Sequence, residues 1–108
     1  MQIIITTQYR ENYGAHDWDG DLTKGECPQY WKNKGGNEYV VTDVDPNANM
    51  EEVVKTAIEK LECCYSNNYS EEYLLNWEVT EDGELTYEEK QQMDWDGSIK
   101  YPSKRIKA

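Results

Sequence analysis

Residues 2–9 read QIIITTQY, and this run of β-branched side chains decides the fold prediction. Isoleucine and threonine favour extended backbone, because their branched side chains pack well on a pleated surface. Polar residues bound the run, so we predict a strand there that begins a sheet. A second strand, EYVVTDV, is predicted at 38–44, and it ends at the turn signal Asp45-Pro46-Asn47.

The next segment has the strongest helical pattern in the chain. Asn49 can cap a helix whose apolar residues recur at helical spacing. The apolar face consists of Met50, Val53, Val54, Ala57, Ile58, Leu61 and Tyr65. We therefore predict one main amphipathic helix at about 49–65, packed against the sheet.

The segment 73–88 alternates apolar and polar residues on both sides of Asp82-Gly83. This pattern predicts a hairpin, with one arm at 77–79 and the returning arm at 85–87. A further short strand is predicted at 98–101. Together these elements predict an α+β fold, in which a small antiparallel sheet packs against one main amphipathic helix.

The length of the chain predicts a single domain, 1–108, because 108 residues build only one modest core. A loop at 10–37 has no sustained periodicity, and long ordered loops in small domains are often functional. The last residues, 98–108, form a basic tail.

The net charge of the chain is strongly negative, at -11. A field of this sign repels phosphate groups, so it argues against direct binding to nucleic acid or to an anionic membrane. It favours partners with basic surfaces instead. No apolar run approaches the length of a membrane span, so we expect a cytoplasmic protein.

The chain contains Asp-Trp-Asp-Gly twice, at 17–20 and at 94–97. Neither copy is followed by the glycine and glutamate spacing that an EF-hand calcium loop requires. We interpret each copy as an acidic turn that anchors its tryptophan. The chain has a single histidine, no nucleophile motif of a hydrolase and no phosphate-binding loop. We therefore predict a protein that is not an enzyme and that uses no metal and no cofactor.

The acidic residues are concentrated between Glu71 and Asp96, where ten acids are opposed only by Lys90. Spaced carboxylates can imitate a phosphate backbone and occupy the Lys/Arg groove of a partner protein. The alternative is a solvated acidic face without a partner. For the first case we predict a partner-binding surface with two aromatic anchors. Its residues are Trp77, Glu78, Glu81, Asp82, Glu84, Tyr87, Glu88 and Glu89.

The loop at 10–37 suggests a different kind of site. It interleaves aromatic and basic side chains, a combination that can stack a base and bind its phosphate. The same rings can equally fill the core, because the chain contains no phenylalanine. The alternative function is therefore a small-molecule sponge that binds a nucleotide-like signal. Its ligand-binding residues would be Tyr13, His16, Trp18, Tyr30, Trp31 and Lys32.

The basic tail carries Lys100, Lys104, Arg105 and Lys107. Opposite charges attract over about a Debye length, ~8 Å at physiological salt. The tail should therefore lie against an acidic face, either of its own chain or of a second copy. We expect the second arrangement, which predicts a homodimer.

Two phrases near the N-terminus are unusual, ENYGAHDWDG at 11–20 and GECPQYWKNKGGNEYVV at 25–41. They resemble a family of small uncharacterised proteins encoded by tailed bacteriophages. The resemblance implies a phage accessory protein in the cytoplasm of the bacterial host, and it carries no activity. Small acidic phage proteins often look like inhibitors of host defence systems or transcription machinery, so by class we expect a host-takeover or anti-defence role. Such a protein would inhibit or modulate a host nucleic-acid-handling protein.

Overall fold

The computed structural model describes residues 1–16, 18–21, 23 and 25–108. Strands dominate these residues, and the helices are short. In chain order the elements are β1 (Gln2–Asn12), α1 (Tyr13–His16), β2 (Trp31–Asn33), β3 (Glu38–Thr42), α2 (Met50–Leu61), β4 (Tyr65–Ser66), β5 (Ser70–Thr80), α3 (Tyr87–Gln92) and β6 (Lys104–Lys107).

The strands form one mixed sheet that curls into a half-barrel. The strand order is β4-β5-β1-β3-β6, and β2 pairs with the far end of β1. The long strand β1 pairs antiparallel with β5, β3 and β2. The last strand, β6, runs parallel to β3 and forms one edge of the sheet.

The predicted fold class, an α+β arrangement of a small antiparallel sheet against one main amphipathic helix, is wrong. The sheet is mixed, because the C-terminal tail joins it as a parallel strand. The described helices have only four, twelve and six residues. No helix in the described part of the chain is long and apolar enough to cross a bilayer.

The helix predicted at about 49–65 is shorter than its apolar pattern. Asn49 caps it as predicted, because its side chain accepts the N–H of Glu52. The helix ends at Leu61, since Glu62 takes a left-handed backbone conformation and donates its N–H to the carbonyl of Ile58. The apolar residues beyond this point continue the pattern but not the helix.

The hairpin predicted at 73–88 is also wrong. Its first arm belongs to β5, but the segment meant to return begins α3 instead. The cause is a capping box: Thr86 accepts the N–H of Glu89, and the carboxylate of Glu89 accepts the N–H of Thr86. The strand predicted at 98–101 lies further along the chain, as β6.

The predicted loop at 10–37 contains more regular structure than its sequence pattern indicates. Strand β1 continues through Asn12, and α1 and β2 follow within the loop. The side chain of Asn12 is buried and holds the segment together. Its oxygen accepts the N–H groups of Gly14 and Tyr30, and its amide donates to the carbonyls of Pro28 and Asn68.

The two faces of the sheet are covered by different segments. On one face, α2 packs its apolar side on β1 and β3. The core cluster there consists of Ile3, Ile5, Val41, Val44, Val54 and Ala57. On the other face, Ile4 and Val40 are buried where the segment that contains α3 crosses the sheet. That second face carries the candidate site.

A bulge changes which residues of β5 face α2. The pairing of β1 with β5 shifts register, so that Thr6 lies opposite Asn76 while Thr7 lies opposite Leu74. Leu75 is the extra residue. Because of this shift, the side chain of Glu72 lies on the α2 side of the sheet, where Thr7 donates its hydroxyl to it.

Candidate functional site

A cleft of about 400 Å³ lies on the face of the sheet opposite α2. Its floor is formed by the outward residues of two neighbouring strands, Ile4 and Thr6 of β1 and Glu78 of β5. Its wall is the segment 81–90, which leads from β5 into α3. The cleft therefore combines a rigid sheet with a short connecting segment.

The charge of this cleft is strongly negative. Its lining includes four glutamates, one from β3, one from β5 and two from the segment before α3. These are Glu38, Glu78, Glu81 and Glu84. The only basic residue among the described lining residues is Lys90. An anionic concavity of this kind concentrates cationic groups from solution.

Two of the four glutamates are held by other residues of the cleft. The carboxylate of Glu38 accepts the backbone N–H groups of Tyr87 and Glu88, at 3.1 and 2.8 Å. Glu84 forms an exposed ion pair with Lys90 at 2.6 Å, and this contact raises the pKa of Lys90. Desolvation and the neighbouring Glu38 raise the pKa of the exposed Glu88.

The other two glutamates, Glu78 and Glu81, are exposed. Their carboxylates make no hydrogen bond or ion pair with any residue that the structure describes. They are therefore the carboxylates most available to a partner. A cation entering the cleft would meet these two groups without first displacing an internal partner.

The structure brings together half of the residues predicted to bind a partner. Glu78, Glu81, Glu84 and Tyr87 all line the cleft. Glu88 lies beside it through the hydrogen bond from its N–H to Glu38. Asp82 is exposed and pairs with the N-terminal amine at 3.3 Å.

Two of the predicted residues are not on this surface. Trp77 lies on the opposite face of the sheet, where it is half-buried against the core under α2. Glu89 is only 1% exposed and forms a two-point ion pair with Arg105, with both N–O distances at 2.8 Å. It also accepts the N–H of Ser103. Glu89 therefore ties α3 to β6 and contributes no free charge to the cleft.

Arg105 is the reason that the pKa of Glu89 falls to about 2. Its guanidinium makes the largest contribution, and the backbone N–H groups of Thr86 and Ser103 lower the pKa further. One cation of the basic tail, Arg105, is thus paired with a carboxylate of the same chain. Its last residues are ordered as β6 beside β3, with Arg105 opposite Val40.

Sequence reasoning missed Glu38 as a member of the cleft. Glu38 lies 33 residues before Glu71, where the acidic stretch begins, and no motif connects them. It reaches the cleft because β3 pairs with β1, which places Glu38 opposite Thr6. Only the sheet register provides this information.

Sequence reasoning also misjudged the second Asp-Trp-Asp-Gly copy. The turn itself is confirmed: Gly97 has a positive φ of 84° and donates its N–H to the carbonyl of Asp94 at 2.9 Å. The expectation that the turn anchors its tryptophan is wrong, because Trp95 is 99% exposed. For the first copy, Asp17 lies outside the described residues.

The residues of the alternative ligand site are only partly gathered. The ring of Tyr13 lies edge-on to His16, with 5.7 Å between centroids. The amine of Lys32 lies 5.4 Å from the Tyr13 ring and 5.3 Å from the Tyr30 ring, while the amine of Lys34 lies 4.9 Å from Tyr13. These contacts form a small aromatic and cationic cluster.

The two tryptophans of that prediction lie apart from this cluster. Trp31 lies under the guanidinium of Arg10, at 4.6 Å from the ring centroid, and its indole N–H donates to Gln29. Trp18 follows α1, where its backbone N–H donates to the carbonyl of Ala15. A pocket lined by all six predicted residues is not formed in the described structure.

The chain has no significant similarity to any protein-family model, curated protein or solved structure. The geometry and charge of the cleft are therefore the features of the molecule that bear on its function.

Proposed function

We propose that this protein is a non-enzymatic binding protein that inhibits or modulates a host nucleic-acid-handling protein. One observation carries the proposal: glutamates from three segments of the chain converge on an open cleft in a molecule of net charge -11. Carboxylates spaced along a rigid sheet can take the positions of phosphates in a basic groove. The cleft would thus act by acidic mimicry of nucleic acid.

The cellular context of the proposal comes from the sequence resemblance to tailed-bacteriophage proteins, over 11–20 and 25–41. It supports a phage accessory protein with a host-takeover or anti-defence role in the host cytoplasm. The negative charge is consistent with this role, because it disfavours direct binding to nucleic acid and favours the basic proteins that handle it.

Two exposed aromatic side chains, one in the cleft and one after α3, would supply the apolar contacts that such an interface needs. Tyr87 lines the cleft at the start of α3, and Trp95 extends into solvent beyond the end of that helix. Tyrosine and tryptophan are the residues most often found at the energetic centre of protein interfaces. Of the two anchors predicted from sequence, Tyr87 remains part of the proposal, and Trp95 takes the role given to Trp77.

A capture experiment tests the proposal. The triple variant E78Q/E81Q/E84Q removes three cleft charges without touching the buried Glu89. Immobilised wild-type protein should retain a nucleic-acid-binding host protein from bacterial lysate, identified by mass spectrometry, and duplex DNA should displace it. The triple variant should retain at least about tenfold less, because three complementary charges are lost.

A matched control separates the cleft from the general charge of the molecule. The variant E26Q/E51Q/E59Q makes the same change in net charge at exposed positions that do not line the cleft. It should retain the host protein almost as well as the wild type. If E78Q/E81Q/E84Q retains the host protein as well as the wild type does, the proposal is wrong. It is also wrong if both triple variants lose the host protein to the same extent.

A second candidate function is the small-molecule sponge, and the cluster around Tyr13 favours it. Cationic amines lie close to two aromatic rings there, the combination that binds a phosphorylated base. Native mass spectrometry of protein purified from infected cells distinguishes the two functions. A retained nucleotide mass that disappears in Y13L/K32M supports the sponge, and its absence from wild-type protein argues against it.

A further inference from the structure

Strand β5 has an open edge along most of its length. On the side away from β1, β4 pairs with it only at Glu71 and Glu72. Within the described residues, no strand pairs with the outer side of 73–80. An unpaired edge of this length presents a row of backbone donors and acceptors to any extended chain.

The hydrogen bonds of β1 show which backbone groups point outward. Thr7 donates its N–H to the carbonyl of Asn37, on the β3 side. Backbone directions alternate along a strand, so residues 4 and 6 turn toward β5, where residues 78 and 76 lie opposite them. The N–H and C=O groups of Trp77 and Val79 therefore point away from β1.

The side chains along this edge differ between the two faces of the sheet. On the cleft face, Glu78 is exposed, and Glu81 lies nearby in the cleft wall. On the other face, Val79 is 39% exposed. The bulge residue Leu75 leaves 53% of its surface in solvent. The edge thus has an acidic side and an apolar component.

We propose that residues 73–80 bind an extended segment of the partner protein by antiparallel strand addition. This inference rests on the proposed function, since it assigns the mode by which the acidic surface holds its partner. A residue opposite Glu78 would direct its side chain to the cleft face, where lysine or arginine meets the carboxylates of Glu78 and Glu81. Its neighbours would lie on the face of Val79, where apolar side chains fit. The segment therefore alternates basic and apolar residues.

The charge of the chain argues for a different protein as the occupant. Two copies paired through their β5 edges would bring together two molecules that each carry -11. The acids nearest the edge, Glu78 and Glu81, would then lie close to the same groups of the second copy. A basic segment neutralises these charges, whereas a second copy adds to them.

A synthetic peptide provides the probe: nine residues of alternating valine and lysine, capped at both ends and labelled for fluorescence anisotropy. In the proposed arrangement the valine N–H groups face β5 and the lysine N–H groups face solvent. N-methylation of the valines should weaken binding by about tenfold or more, because it removes hydrogen bonds to the edge. N-methylation of the lysines, the matched control, should change the affinity by less than about threefold.

Variants of the protein test the same backbone hydrogen bonds by changing the β5 edge instead of the peptide. V79P removes an outward N–H that β1 does not use, and proline is tolerated at such edge positions. It should weaken peptide binding by about tenfold, whereas V79A keeps the N–H and should lose less than about threefold. Circular dichroism checks that both variants fold.

Hydrogen exchange on the wild-type protein gives a readout that needs no variant. Adding the peptide should slow exchange of the amides of Trp77 and Val79. The amides of Asn76 and Glu78 are already bonded to β1 and should change little. Protection of Trp77 and Val79 in the protein alone, increasing with protein concentration, would mean that a second copy occupies the edge, and it would overturn the inference.

The two proposals fail in different ways. If the peptide does not bind, or binds E78Q/E81Q/E84Q equally well, the acidic surface itself is not a binding surface. If the peptide binds and depends on those acids, but both methylated forms bind equally and the Trp77 and Val79 amides stay unprotected, strand addition is wrong. The proposed function then survives that result.

Discussion

Glu89 and Glu72 are both buried, on opposite faces of the sheet, but they are stabilised in different ways. Glu89 meets a full positive charge, the guanidinium of Arg105. Glu72 is 7% exposed and meets uncharged donors: the Thr7 hydroxyl at 2.5 Å, the Tyr39 hydroxyl at 2.9 Å and the Asn37 amide at 3.2 Å. Among the described residues, no cation pairs with it.

The two environments differ in which groups have shifted pKa values. Arg105 lowers the pKa of Glu89 itself to about 2. At the second site, the shifted pKa values belong to the residues that surround Glu72. Burial and then the hydrogen bond to Glu72 raise the pKa of Tyr39, and burial, with Cys64 and Glu72, raises that of Cys63 to about 12. A buried charge can thus be balanced by a countercharge, or by donors that stay protonated around it.

The largest expected effect is the loss of the Glu89 carboxylate. Glu89→Ala removes the ion pair to Arg105 and half of the capping box, so we expect a loss of about 3 kcal/mol in the free energy of unfolding. Urea denaturation measures it. Glu88→Ala, the neighbouring exposed position, serves as control and should cost under about 1 kcal/mol. Equal costs would show that the pair with Arg105 adds no stability.

The next effect is acid sensitivity. The pKa of Glu89 is lowered from 4.5 in the reference state to about 2 in the fold, so its contribution is complete above pH 4.5 and is lost as the pH falls toward 2. This linkage amounts to about 3 kcal/mol. Urea denaturation of wild type and Glu89→Gln at several pH values in this range measures it. The variant should lose less stability than the wild type on acidification. If the free energy of unfolding falls with pH in parallel for the two proteins, Glu89 is not the source of the acid sensitivity.

A smaller effect is expected at the uncharged site. Tyr39→Phe removes one of the donors to Glu72 while keeping the ring, so we expect a loss of about 1–2 kcal/mol. Tyr69→Phe is the matched control, because Tyr69 is exposed and its hydroxyl makes no hydrogen bond within the described residues. Thermal or urea denaturation compares them. If both cost the same, the hydroxyl of Tyr39 does not stabilise the buried carboxylate.

The smallest effect is expected where a carboxylate is paired in solvent. Glu84→Gln breaks the ion pair with Lys90, whose two side chains are both about half exposed. Such pairs contribute under about 1 kcal/mol, and salt screens them. Urea denaturation at low and high salt measures the change. A loss as large as that of Glu89→Ala would show that the exposure of an ion pair does not determine how much it stabilises the fold.

The sequence alone determined those features that depend on neighbours within a few residues. The β-branched run at 2–9 lies in β1, and Asn49 caps α2, because strand propensity and capping are local effects. The turn at 94–97 follows from its glycine in the same way. The acidic density of 71–96 is a property of composition, so it also needed no fold.

Only the tertiary structure decided how these parts combine. Sheet pairing places Glu38 in the cleft. Arg105, sixteen residues after Glu89, forms an ion pair with the Glu89 carboxylate, which is buried rather than exposed on the surface. Among the described residues, the edge of β5 is open beyond Glu72 because β4 pairs with it only at Glu71 and Glu72. Each outcome depends on contacts between distant segments, and residue spacing carries no direct signal for such contacts. The fold class was wrong for this reason: the tail joins the sheet through β3, a partner that its own sequence does not indicate.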